Sequence, residues 1–161
     1  MTKKLLIQDF ISGKHNHNAC VQEAVARAEE ICSARNERFT PLRKTVLELV
    51  WGSHKPVKAY DLLAQLAVFH ERPAPPTVYR ALDFLMEAGL IHKLQSINAF
   101  VGCAEPGRDH QGQFLICEKC GVVAELDDKS ITSRIDQNAK RMGFRVDDET
   151  VEIKGLCRDC Q

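Results

Sequence analysis

Cys117-x-x-Cys120 and Cys157-x-x-Cys160 are the residues whose type and spacing point most directly to chemistry. A C-x2-C turn presents two thiolates from one tight knuckle, with Gly121 giving the backbone freedom just after the first pair, and two knuckles complete a tetrahedral four-thiolate shell for Zn2+. Between Cys120 and Cys157 lie 36 residues, more than a zinc ribbon uses, so a folded element has to sit between the knuckles and be closed by them. The same cysteines could form a thioredoxin-like redox pair or two disulfides. Compartment bears on that choice. Lys3 and Lys4 precede only three apolar residues, Leu5 to Ile7, too few for a secretory leader, and no later stretch approaches the roughly 18 uninterrupted apolar residues of a membrane span. The expectation is a cytoplasmic chain with reduced thiols and no membrane partner, and its odd count of seven cysteines fits ligation better than full pairing.

Outside the knuckles, His92, Cys103, His110 and Glu125 are the next candidates. Spacing leaves two readings open for them. They form a second metal site, or they are a surface histidine on a hairpin, a small core cysteine, a loop histidine and a solvated carboxylate. Cys32 falls on an apolar helical face and reads as core, Cys20 has no assignment, and His15 and His17 lie in a polar N-terminal arm with no ligand role.

The elements that must position these residues follow from periodicity. In Ala19 to Arg35, Val21, Val25, Ala28 and Cys32 recur at helical intervals. Thr40-Pro41 is a helix start, followed by a stripe of Leu42, Val46, Leu49 and Val50 that stops at Gly52. A third helix after Pro56 would turn Ala59, Leu62, Leu63, Leu66 and Phe69 inward. A fourth begins at Ala74-Pro75-Pro76-Thr77, with Val78, Ala81, Leu82, Leu85 and Met86 inward and Gly89 as its C-terminal cap. The period then shifts towards two, with Leu90 to Leu94 and Ala99 to Val101 flanking a polar turn. Successive short helices followed by a hairpin describe a winged helix-turn-helix, whose second motif helix enters the DNA major groove. The expected fold is α+β: an N-terminal arm (1–18), a winged-helix DNA-binding domain (19–103), a hinge (104–113) and a small α+β dimerisation domain (114–161). In that last part strands are expected at Phe114 to Ile116, Val122 to Leu126, Arg145 to Val146 and Val151 to Ile153, around a helix from Asp128 to Met142 closed by Gly143.

Composition at first argues against DNA. The 161 residues carry 22 basic and 22 acidic side chains, a formal net charge of zero. The zero averages two unlike halves: residues 1–95 hold 13 basic and 10 acidic groups, whereas 96–161 hold 9 and 12. A reading half at +3 is thus joined to a half at −3.

At Pro75-Pro76-Thr77-Val78-Tyr79-Arg80-Ala81-Leu82-Asp83-Phe84-Leu85, then Gly89-Leu90-Ile91-His92-Lys93 and Cys117-Glu118-Lys119-Cys120-Gly121, the chain resembles the ferric uptake regulator family, and within it the zinc-sensing regulators. The likeness runs from about Ala24 to Cys160 and includes Arg38-Phe39-Thr40-Pro41-x-Arg43 and Ala59-Tyr60-Asp61-Leu62-Leu63. It implies a homodimeric, metal-dependent repressor rather than an enzyme, acting on double-stranded operator DNA of zinc uptake genes, with two Zn2+ per chain and no small-molecule substrate. It further implies structural ligands Cys117, Cys120, Cys157 and Cys160 and regulatory ligands His92, Cys103, His110 and Glu125. Where iron- and peroxide-responsive relatives carry an H-H-D-H run, this chain has Gly107-Arg108-Asp109-His110. The remaining set of two nitrogens, one sulfur and one oxygen favours tetrahedral Zn2+ over harder octahedral ions.

For DNA contact the expected residues are Tyr60, Thr77, Tyr79 and Arg80, with Arg80 reading guanine and Lys44, Lys55, Lys58 and Lys93 as spare phosphate contacts. Three alternatives remain: an iron- or peroxide-responsive regulator of the same family; a zinc-dependent hydrolase, which lacks an H-E-x-x-H ligand pair here; and a cysteine redox sensor.

Overall fold

Thr40 and Pro41 set the first well-defined helix boundary of the N-terminal half. In the computed structural model, which describes residues 6–7, 16–53, 55–69, 73–108 and 110–161, the Thr40 hydroxyl accepts from the Arg43 amide at 3.4 Å and Pro41 opens the helix. Proline's missing amide is one that a helix start leaves unpaired in any case. The helices of this half are α1 (His17–Ala34), α2 (Pro41–Trp51), α3 (Ala59–Leu66) and α4 (Pro75–Glu87). Their inward stripes meet in one core: Val25, Ala28 and Cys32 from α1, Val46, Leu47 and Val50 from α2, Leu62 and Leu66 from α3, and Val78, Ala81, Leu82 and Leu85 from α4. Burying a valine or leucine side chain of this kind is worth about 1.5–3 kcal/mol. Gly89, at φ +69°, ends α4 in the left-handed conformation that glycine adopts without penalty.

The hairpin pairs β2 (Ile91–Leu94) with β3 (Ala99–Gly102), antiparallel, with His92 opposite Val101 and Ile91 opposite Gly102. Val57 bridges to Phe100 through two backbone hydrogen bonds of 2.9 and 2.8 Å, adding a one-residue third strand to the wing.

The described residues fall into two compact units, within Ser12–Arg108 and within Met1–Ile11 plus Asp109–Gln161. In the second unit a four-stranded sheet has the order β1 (Leu6–Ile7), β5 (Val123–Asp127), β4 (Gly112–Cys117), β6 (Thr150–Gly155). β4 pairs antiparallel with β5 and parallel with β6. The crossover that a parallel pair requires contains α5 (Lys129–Arg141), which Asp128 caps by accepting from the Ser130 amide at 2.8 Å. Its core is small: Phe114, Ile116 and Ala124 are buried together with the thiols of Cys117 and Cys157.

Several expectations are corrected. Phe69 is 65% exposed rather than inward, because α3 stops at Leu66 and the following turn takes residue 69 off the helical period. Arg145 and Val146 form no strand; β4 already has β5 and β6 on its two edges, and Arg145 instead pairs with Asp147 at 2.8 Å across a bend. Leu6 and Ile7, expected in the arm, pair with Leu126 and Asp127, and His17 opens α1. His15, Lys3 and Lys4 lie outside the described residues.

Candidate metal centres and nucleic-acid face

Sheet register brings the two knuckles together. β4 ends at Cys117, and the chain turns back through Cys120 and Gly121, which sits at φ +76°. Parallel pairing with β6 sets Gly155 beside Cys117, and the Glu118 amide donates to the Gly155 carbonyl at 2.9 Å. Cys157 therefore arrives two residues later. The 3-10 turn Arg158–Cys160 then swings Cys160 in, its amide donating to the Cys157 carbonyl at 3.0 Å. All four sulfurs lie within 4.8 Å of one another, with Cys120 Sγ to Cys157 Sγ at 3.6 Å. A tetrahedron with Zn–S of about 2.3 Å has S–S edges of about 3.8 Å, so this cage fits the ion.

Electrostatics point the same way. The Cys120 and Cys157 backbone amides hold the Cys117 thiol down to about 6, and the Cys157 amide donates to Cys117 Sγ at 3.4 Å. Hydrogen bonding with Cys157, followed by burial, pushes Cys160 up to about 12. Sulfurs crowded this closely cannot all ionise together without a cation, and a divalent ion would allow it.

The other candidate ligands occur as two pairs. In the wing, the Cys103 amide donates to the Leu90 carbonyl at 3.0 Å, continuing the β2–β3 register by one residue. His92 and Cys103 are thereby diagonal cross-strand neighbours on one face, and their ligand atoms lie within 4.8 Å of each other. Cys103 is 1% exposed. In the second unit, His110 lies two residues before β4 while Glu125 stands on β5 opposite Phe114. Their Nε2 and Oε1 atoms are 2.8 Å apart, and both side chains are buried, so Glu125 is not a solvated charge. The wing pair offers one nitrogen and one sulfur, and the pair of the second unit offers one nitrogen and one oxygen.

α4 presents Thr77, Tyr79, Arg80 and Asp83 outward opposite its buried stripe. Tyr60, on the first turn of α3, is 79% exposed and Tyr79 is 54% exposed. The Arg43 guanidinium of α2 stacks over the Phe84 ring at 3.5 Å from its centroid and donates to the Arg38 carbonyl, which ties α4 to α2. Lys44 Nζ lies 3.6 Å from Glu29 Oε1 in a solvent-exposed pair. Cys32 is buried as expected, and its burial raises the thiol's pKa and keeps it protonated.

Gln113 is a residue that sequence reasoning missed. Its amide nitrogen donates to the Asp128 carbonyl and to Thr132 Oγ1, both at 3.0 Å, and its oxygen accepts from the Asp128 amide at 3.2 Å. It fixes the start of α5 on the sheet. A lone polar residue beside Phe114 in a strand was the available signal.

Comparison with known proteins agrees with this geometry. The sequence model of the Ferric uptake regulator family matches residues 34–154. A "Zinc uptake regulation protein" from Escherichia coli (strain K12) is 41% identical over 142 residues, covering 86% of this chain and 82% of the relative. A solved structure described as a zinc uptake regulator complexed with zinc and DNA aligns with a TM-score of 0.83 at 40% identity, covering 86% of this chain and 93% of the other. A crystal structure of holo XcZur aligns with a TM-score of 0.79 at 46% identity, over 85% and 96%.

Proposed function

The chain belongs to the ferric uptake regulator family, and on that footing we propose that it is a zinc-responsive transcriptional repressor whose zinc-loaded homodimer binds operator DNA of zinc uptake genes. It is a transcription regulator, not an enzyme. The observation that carries the zinc assignment is the donor chemistry of the two pairs: a buried thiol beside an imidazole in the wing and an imidazole on a carboxylate in the other unit offer donors that suit zinc and disfavour oxygen-seeking octahedral ions.

Each chain holds two ions in this reading. Cys117, Cys120, Cys157 and Cys160 form the structural site, and His92, Cys103, His110 and Glu125 form the regulatory one. When bound, zinc would supply a tether across a hinge in the stretch between Cys103 and β4, shorter than the expected 104–113 because Gly112 and Gln113 belong to β4. His92 and Cys103 belong to the reading unit, His110 and Glu125 to the other. Four donors shared in this way restrict the positions each reading head can take. The two recognition helices of a dimer then meet major grooves one helical turn, about 34 Å, apart or at a multiple of that. A gain of about 100-fold in DNA affinity requires about 2.7 kcal/mol of differential binding between the two arrangements.

For dimerisation the C-terminal unit offers apolar surface at Met142, Phe144, Ile153 and Leu156, each about half or more exposed. A second copy covering those side chains removes them from water. Arg80 reads the operator, with the exposed Thr77 and Tyr79 of α4 and Tyr60 of α3 as further DNA contacts. No described helix is long and apolar enough to cross a membrane.

Operator binding with increasing buffered free zinc tests this reading. Affinity rises with occupancy of the second zinc per chain. Equal affinity at one and two zinc equivalents would count against it.

A further inference from the structure

We propose that Trp51 and Gly102 are positioning residues for the regulatory zinc, acting together to hold His92 and Cys103 at the spacing the ion accepts. The proposal rests on the reading of those two residues as ligands.

Gly102 ends β3, where a Cβ would fall 2.2 Å from Cε2, 2.3 Å from Nε1 and 2.6 Å from Cζ2 of Trp51. The indole lies directly on the strand backbone, and only glycine admits it there. Gly102 pairs with Ile91, and the residue after each partner is a proposed ligand, Cys103 and His92 respectively. The ring therefore presses on the single cross-strand pair from which both donors leave. Its mounting is rigid: Trp51 is the last residue of α2, whose Val46, Leu47 and Val50 are fully buried. Trp51 Nε1 is buried with no hydrogen-bond partner among the described residues. The contact thus uses the bulk and flat face of the indole and not its polar atom, which suits a stop against which the strand pair rests. Supporting residues of this kind orient metal ligands without touching the metal, and their loss typically lowers affinity by about 10- to 100-fold.

The test uses the full-length dimer with its structural zinc retained and measures regulatory-site affinity by competition with a chromophoric chelator. Gly102→Ala and Trp51→Ala should each weaken that site by about 10-fold or more. The double variant should be no weaker than Trp51→Ala alone, because the clash needs both the methyl group and the ring. Additive losses in the double variant would overturn the proposal, as would a loss shared equally by the structural zinc. Should Gly102→Ala fail to fold, Trp51→Ala decides, and affinity within about threefold of the parent overturns it. Cys103→Ser runs alongside: unchanged second-zinc affinity there would sink the ligand reading itself. Loss there with unchanged Trp51 and Gly102 variants would sink the positioning role only.

Discussion

Cys103 sits at 1% exposure just past the end of β3, and in the proposed regulatory site it is the one soft donor. Replacing its thiol with a hydroxyl removes the soft ligand while barely changing volume. Cys103→Ser should therefore leave a folded dimer holding one zinc per chain but lower zinc-stimulated operator affinity by about 100-fold, measured by fluorescence anisotropy; tight operator binding at ordinary zinc would contradict the assignment. Arg80→Ala removes a guanidinium from the exposed face of α4. The expected loss is about 1–3 kcal/mol of discrimination between operator and random DNA, and an unchanged ratio would place base readout elsewhere. The knuckles were legible in the sequence because C-x2-C spacing is local. The second set was not, because His92 and Cys103 meet only through the pairing of Ile91 with Gly102, and register across a hairpin leaves no mark in linear spacing.

Elements were legible wherever one buried face imposed a period. α1, α2 and α4 follow their apolar stripes, and Thr40 and Gly89 cap as their types dictate. The reading failed where a tertiary partner decides: Phe69 beyond the end of α3, Arg145 and Val146 outside a sheet whose β4 is flanked by β5 and β6, and Leu6 and Ile7 paired with residues some 120 positions later. Gln113 belongs with these, since its three hydrogen bonds to Asp128 and Thr132 arise only once α5 docks on the sheet. Gln113→Ala should destabilise the C-terminal unit by about 1–3 kcal/mol, because the Asp128 backbone and the Thr132 hydroxyl lose a partner, and urea unfolding followed by far-UV circular dichroism checks it. Cys117→Ser acts on a larger scale. α5 has no buried residue and the sheet core is thin, so under the proposed structural site a zinc held by the four cysteines contributes folding free energy on the order of 10 kcal/mol. Analytical ultracentrifugation should show that this variant has lost the dimer, and a normally stable dimer with one zinc fewer would remove the structural role.

Across the whole molecule, zero net charge reflects division of labour between the halves. The half at +3 holds the proposed reading helix, while the half at −3 holds 12 of the 22 acidic groups and the four-cysteine cluster. On the proposed function, such a modest positive charge predicts low nonspecific DNA affinity, with metal occupancy as the controlling variable. The central claim is that operator affinity follows the second zinc and no other ion. It is tested most directly by titrating the full-length protein against operator DNA at fixed ionic strength in buffered free zinc, iron(II) or manganese(II), with metal per chain counted at each point. The expected result is a rise of about 100-fold that tracks zinc occupancy from one to two per chain, with no comparable rise for iron or manganese. An equal or larger rise with iron or manganese, or full affinity at one zinc per chain, would contradict it.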